Sequence, residues 1–137
     1  MRNIAKIGLV SLAVLLTGCA PNCTLENMQS MPERAPTHRV NFDSDSARLN
    51  SHGMKVIREA AREAKECHCV LVVGHTDDSD TQAYNILLAE RRAKCVRNAL
   101  IEMGVPESNI VMNAAGERQF GHRHSRKERN VEITIYK

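Results

Sequence analysis

Tryptophan is absent from the 137 residues, and two Tyr and two Phe are the only aromatic side chains. A surface that stacks successive bases of a single strand needs several aromatic rings, so this scarcity argues against single-stranded nucleic acid as a partner. Basic clustering is also weak. The formal charge is +3, and acidic and basic residues are mixed along the chain. A nucleic-acid footprint would gather its Lys and Arg on one face. No apolar run reaches the roughly 20 residues that a membrane-spanning helix needs. There is no internal repeat and no low-complexity tract. No Ser, His and Asp converge by motif, and no pair of carboxylates flanks an evident cleft, so hydrolytic catalysis has no visible machinery. The Cys and His residues lack the second ligand pair of a zinc motif, so neither a metal nor another cofactor is expected.

What is present begins at the N-terminus. Arg2 and Lys6 form a basic start, and Ile7 to Leu16 is a short apolar stretch, the pattern of a secretion signal. Leu16-Thr17-Gly18-Cys19 follows and resembles the lipobox of bacterial lipoproteins. The resemblance implies cleavage after residue 18 and acylation of Cys19. Ala20, rather than Asp, after the Cys favours the outer membrane by the same resemblance. Loss of residues 1–18 takes away Arg2 and Lys6 and lowers the formal charge from +3 to +1. Buried methylenes contribute about 0.8 kcal/mol each, so several acyl chains make a firm anchor. Residues 19–37 are broken by Pro21, Pro32 and Pro36 and keep neither a helical nor a strand period. They read as a flexible tether with a reach of at most about 60 Å, at roughly 3.3 Å per residue.

Residues 38–137 read as one domain. His38 to Asp43 is a short strand. Asn50 and Ser51 open a helix whose Ile57, Ala60, Ala61 and Ala64 share one face. Val70 to Val73 is a continuous apolar run ended by Gly74, as in a central strand covered on both sides. Ser79 and Gln82 form a capping-box pattern, which starts the next helix near Asp80. That helix ends near Met103, with Gly104 in the C′ position and Pro106 preventing continuation. Ile110 to Met112 is a third strand. Val131, Ile133 and Ile135 alternate with Glu132, Thr134 and Tyr136, so the last strand has one buried face. The order β-α-β-α-β-β predicts an α+β two-layer sandwich, a mixed sheet with two helices packed on it.

The stretch GHTDDSDTQAYNILLAERRA carries the most specific signal. The pattern GHTD…YNxxLxxxRAxxV, from Gly74 to Val96, resembles the OmpA-like peptidoglycan-binding domain. Phe42-Asp43-Ser44-Asp45, Gly116-Glu117 and Arg129-Asn130-Val131-Glu132-Ile133 fit the same family. Together with the lipobox and tether, the chain resembles the Pal-type lipoproteins of the outer membrane. The resemblance implies non-catalytic binding of the diaminopimelate residue of peptidoglycan stem peptides. It assigns the ligand ammonium to Asp77 and the ligand carboxylate to Arg92, with Asn85, Asp45 and Arg129 completing the site.

The residues themselves agree with a zwitterionic ligand, which needs an anion and a cation a few ångströms apart. Asp77 sits at the carboxyl end of the apolar run, where open sheets commonly bind ligands. Asn85 and Arg92 are two helical turns apart and share a face. Ala89 lies between them and is expected to leave room for the ligand. The helix N-terminus near Asp80 offers N–H groups to a carboxylate, and Arg can grip a carboxylate through two donors. The family pattern is broken in places. Asp80 stands where Gly is usual, Ala89 replaces a Ser, and Asn130 replaces an Arg. These departures support a second reading, an accessory envelope lipoprotein with a decayed ligand site that holds a protein partner.

Four further cysteines, Cys23, Cys67, Cys69 and Cys95, belong in an oxidising compartment if the chain is exported. In an extended segment Cys67 and Cys69 point to one face and His68 to the other, a poor chelate. A disulfide from Cys67 or Cys69 to Cys95 or Cys23 is expected. The basic stretch GHRHSRKER, with His122 and His124, reads as a solvated loop in which only Arg129 has a site role.

Overall fold

The computed structural model describes residues 22–31, 37–64, 68–77, 80–117 and 127–137; of these, the side chains of Gln29 and of residues 115–117 are not described. The signal, Cys19, Cys67, His122 and His124 lie outside the described residues. In chain order the elements are α1 (Leu25–Ser30), β1 (His38–Asn41), α2 (Ser51–Glu63), β2 (Cys69–Thr76), α3 (Gln82–Glu102), β3 (Ile110–Glu117) and β4 (Asn130–Tyr136). A short 3-10 turn, Glu107–Asn109, leads into β3.

The four strands form one mixed sheet in the order β1-β4-β2-β3. β4 is antiparallel to both β1 and β2, and β2 is parallel to β3. The sheet and its helices form the α+β sandwich that the sequence predicts. The last strand in the chain enters the middle of the sheet, where Val131, Ile133 and Ile135 are all fully buried. Register explains this. Gly74 pairs with Val131, Val72 with Ile133 and Val70 with Ile135, so one face of both strands meets the helices. Ile57 and Ala60 from α2 and Ala93, Val96, Ala99 and Leu100 from α3 close the core.

The helix ends follow local chemistry. Asn50 caps α2 by accepting from the Gly53 N–H at 2.8 Å. At the other end of α3, Gly104 adopts φ 96°, and its N–H and that of Met103 reach back to carbonyls of the last turn. The start of α3 differs from the expected capping box. Thr81 is the N-cap, and its hydroxyl accepts from the Tyr84 N–H at 3.3 Å. A Thr adjacent to the first helical residue serves the same orphan donors, so Asp80 stays outside the helix.

Two expectations need correction. β2 is central, but its far face is only partly covered, since Leu71 and Val73 are half-buried while Val70 and Val72 are fully enclosed. The segment read as a flexible tether is also structured between Asn22 and Met31. Thr24 caps α1, Met28 is buried, and Cys23 is bonded to Cys69. One apolar side chain and one covalent bond hold six helical residues that no periodicity could reveal. Of the open cysteine pairings, Cys23–Cys69 forms and Cys95 remains a free thiol.

α3 packs backbone to backbone on β2 at Gly74, where a Cβ would stand 2.1 Å from the Ala89 carbonyl oxygen. No side-chain adjustment relieves a clash with backbone. Gly74→Ala is therefore expected to lower stability by about 3 kcal/mol or more, at the upper end of overpacking costs. Urea unfolding of the two proteins measures this, and equal midpoints would contradict the close approach.

Candidate functional site

β2 delivers Asp77 to the carboxyl edge of the sheet, one residue beyond the last strand position. α3 runs back across the sheet with Asn85, Leu88, Ala89, Arg92, Ala93 and Val96 on its buried face. The shared face expected of Asn85 and Arg92 is therefore present. The loop after β1 brings Asp43, Asp45 and Ser46 over the same edge, and the turn before β4 brings Arg129.

Arg92 is the centre of this arrangement. Its side chain is 0% exposed. The Nε donates to the Ser46 carbonyl at 2.7 Å and Nη2 to the Asp43 carbonyl at 2.9 Å. Nη1 reaches the His75 carbonyl at 3.5 Å. The guanidinium also lies 5.4 Å from the centre of the Phe42 ring, within cation–π range. Burial pushes the Arg92 pKa down from its usual value, Asp77 opposes this, and Arg129 adds to the lowering while Asp45 resists it. An Arg side chain stays charged under such pressure. Four formal charges of alternating sign thus surround one strand end.

Asp77 is 5% exposed and accepts from Arg129 Nη1 at 3.1 Å. Arg129, 16% exposed at its side chain, also donates from Nε to the Phe42 carbonyl at 3.4 Å. Asp45 is exposed and holds a left-handed φ of 53°, and its carboxylate accepts from the Tyr84 hydroxyl. Asn85 is buried and donates from Nδ2 to the Asp80 carbonyl at 3.1 Å, which fixes the loop between β2 and α3.

The five residues singled out from the sequence thus converge, with different duties from those expected of some. Arg92 does not project into solvent. Its five N–H groups exceed by two the three carbonyls that accept from it among the described residues. Arg129 is the more accessible cation. Ala89 does not leave room for a ligand. It is fully buried, and its backbone packs on Gly74, so its small size serves the helix–sheet approach. Its replacement of Ser therefore removes no hydroxyl from an open surface. The α3 N-terminus is also partly engaged, since the Thr81 hydroxyl and the Asp80 carboxylate accept from the Tyr84 and Thr81 N–H groups. Sequence reasoning missed Tyr84. The signal was available in the quoted motif, where Tyr84 directly precedes Asn85.

The family pattern for OmpA matches residues 41–134, and the chain belongs to the OmpA family. It is 32% identical over 78 residues to outer membrane protein A of Bordetella avium, covering 56% of this chain and 40% of that protein. It is 27% identical over 135 residues to the peptidoglycan-associated lipoprotein of Mesorhizobium japonicum, covering 86% of this chain and 80% of that protein. The crystal structure of the peptidoglycan-associated lipoprotein from Burkholderia pseudomallei superposes with a TM-score of 0.66 at 26% identity, covering 72% of this chain and 89% of that one. That likeness extends to the mixed sheet and the helices packed on it.

Arg92 holds two loop carbonyls, those of Ser46 and Asp43, the second of which also accepts from the Ser46 N–H at 3.3 Å. Arg92→Ala would strand the Ser46 carbonyl, weaken the hold on Asp43 and open a cavity, at a cost of about 3–5 kcal/mol, as when one partner of a buried charged cluster is removed. Arg129→Ala, nearer solvent, should cost less, about 1.5–3 kcal/mol, as for one hydrogen bond to a charged group. Thermal unfolding of both variants measures the difference, and equal losses would contradict the central place given to Arg92.

Proposed function

We propose that this chain is an outer-membrane lipoprotein that binds peptidoglycan without cleaving it. The binding domain takes the diaminopimelate residue of a stem peptide, and acylated Cys19 ties it to the outer membrane with the domain facing the periplasm. The observation that carries this reading is the Asp77–Arg129 pair at the end of β2, with the Arg92 guanidinium enclosed behind it. The free end of diaminopimelate carries an ammonium and a carboxylate side by side. Its ammonium pairs with Asp77, and its carboxylate meets Arg129 and the two further donors of Arg92. Asp45, held by Tyr84, adds a second anion at the rim, and Asn85 keeps the β2–α3 loop in place. Membership of the OmpA family supports the reading, as do relatives named peptidoglycan-associated lipoproteins.

The chemistry sets the strength. Charge-assisted contacts contribute about 1.5–3 kcal/mol each, and association itself opposes binding. Two such contacts put a single site in the millimolar to micromolar range. A polymeric target facing a confined protein needs no more, because effective concentration multiplies occupancy.

A second reading keeps the fold and gives it a protein partner. The enclosure of Arg92 favours it, because an incoming carboxylate must open the Asp43–Ser46 loop. Co-sedimentation of residues 20–137 with diaminopimelate-type sacculi separates the two. Binding that is lost with free meso-diaminopimelate, and with Asp77→Ala or Arg129→Ala in folded protein, is the expected result. A folded wild-type chain that stays in the supernatant would sink the peptidoglycan reading and leave the partner reading.

A further inference from the structure

Cys23 and Cys69 close a loop of 46 residues, and the position of Cys69 gives that bond a geometric consequence. Cys69 is the first residue of β2, whereas the ligand site begins with Asp77, one residue past its last. The strand separates the two by roughly 25 Å, at about 3.3 Å per residue. Without the bond and the buried Met28 of α1, the chain from the N-terminus would join the domain at His38, the first residue of β1. With it, that chain joins at Cys23, which is bonded to the end of the central strand remote from Asp77. Met28, buried in α1, is a second attachment just beyond the bond.

We infer that the Cys23–Cys69 bond sets the reach and orientation of the domain relative to its anchor. This rests on the lipid-anchor part of the function proposed above. Only residues 20, 21 and 22 separate Cys19 from Cys23. The free chain between anchor and domain therefore spans at most about 14 Å, against about 60 Å if it ran to His38. β2 becomes a strut. Its Cys69 end is held next to the membrane that carries Cys19, and its Asp77 end points away. Residues 24–37, though part of the apparent tether, lie inside the closed loop and contribute nothing to reach. The site is thereby restricted to peptidoglycan within roughly 40 Å of the membrane surface, the sum of strand length and free chain.

The test uses the full acylated chain in a supported bilayer, with the height of the protein layer read by neutron reflectometry. A flexible insertion of about ten Gly/Ser residues between Cys19 and Cys23 should raise the layer by about 10 Å or more. The same insertion between Met31 and Thr37 should leave the height unchanged. In a Cys23→Ser, Met28→Ser background, which removes both attachments, the second insertion should raise the layer as the first does. Equal effects of the two insertions in the disulfide-bonded protein would overturn the inference, and so would a mass spectrum without acyl chains on Cys19. Sacculus binding by the same proteins is a separate readout. Its loss would count against the peptidoglycan reading and leave the height result standing.

Discussion

The enclosed guanidinium of Arg92 is the constraint on which the Asp77 edge of the sheet depends. A helix side chain here replaces ordinary loop packing. It binds carbonyls of Asp43 and Ser46 in one loop and lies beside the last turn of the central strand at His75. A buried guanidinium is costly to desolvate, and burial does lower its pKa. Short bonds to carbonyl oxygens, the face of Phe42 and the nearby charge of Asp77 offset that cost. Arg92 ties down the loop after β1 at two carbonyls, while the Tyr84 hydroxyl holds Asp45 at its left-handed turn.

Other features work by bringing Arg92 to that position. Gly74 lets α3 settle against β2 at backbone distance, and Ala89 is small for the same reason. Gly104 ends the helix after the core residues Val96, Ala99 and Leu100 have been placed. The antiparallel entry of β4 between β1 and β2 then carries Arg129 to within 3.1 Å of Asp77. The charged cluster proposed as a receptor for a zwitterion results from packing rather than from residues set aside for it. The strand that carries Asp77 beyond one end is stapled to the N-terminal segment at the other.

Much of this was legible in the sequence, for identifiable reasons. Alternation at Val131, Ile133 and Ile135 revealed a strand with one buried face, and Gly104 followed by Pro106 marked a helix end. The seven-residue step from Asn85 to Arg92 fixed their common face. What stayed hidden depended on distance in the chain. The depth of Arg92 comes from loop carbonyls 46 and 49 residues away. The duty of Ala89 comes from Gly74 on a different element. The choice of Cys23 over Cys95 as the partner of Cys69 rests on the path of a segment too short to show a period. The third strand, expected to stop at Met112, runs on to Glu117 because β2 also continues past Gly74 and supplies it a partner as far as Thr76. Local patterns identified the elements, and contacts between elements decided what the side chains do.

The central claim is that a zwitterion binds at the Asp77 end of β2. Amide chemical-shift mapping of residues 20–137 during titration with meso-diaminopimelate tests it most directly. Saturable shifts concentrated at Asp77, Tyr84, Asn85 and Arg129 and in the Asp43–Ser46 loop are predicted, with the Cys69 end of the strand unmoved. Saturable shifts confined to another surface, such as the groove beside the free thiol of Cys95, or no shifts at millimolar ligand, would contradict it.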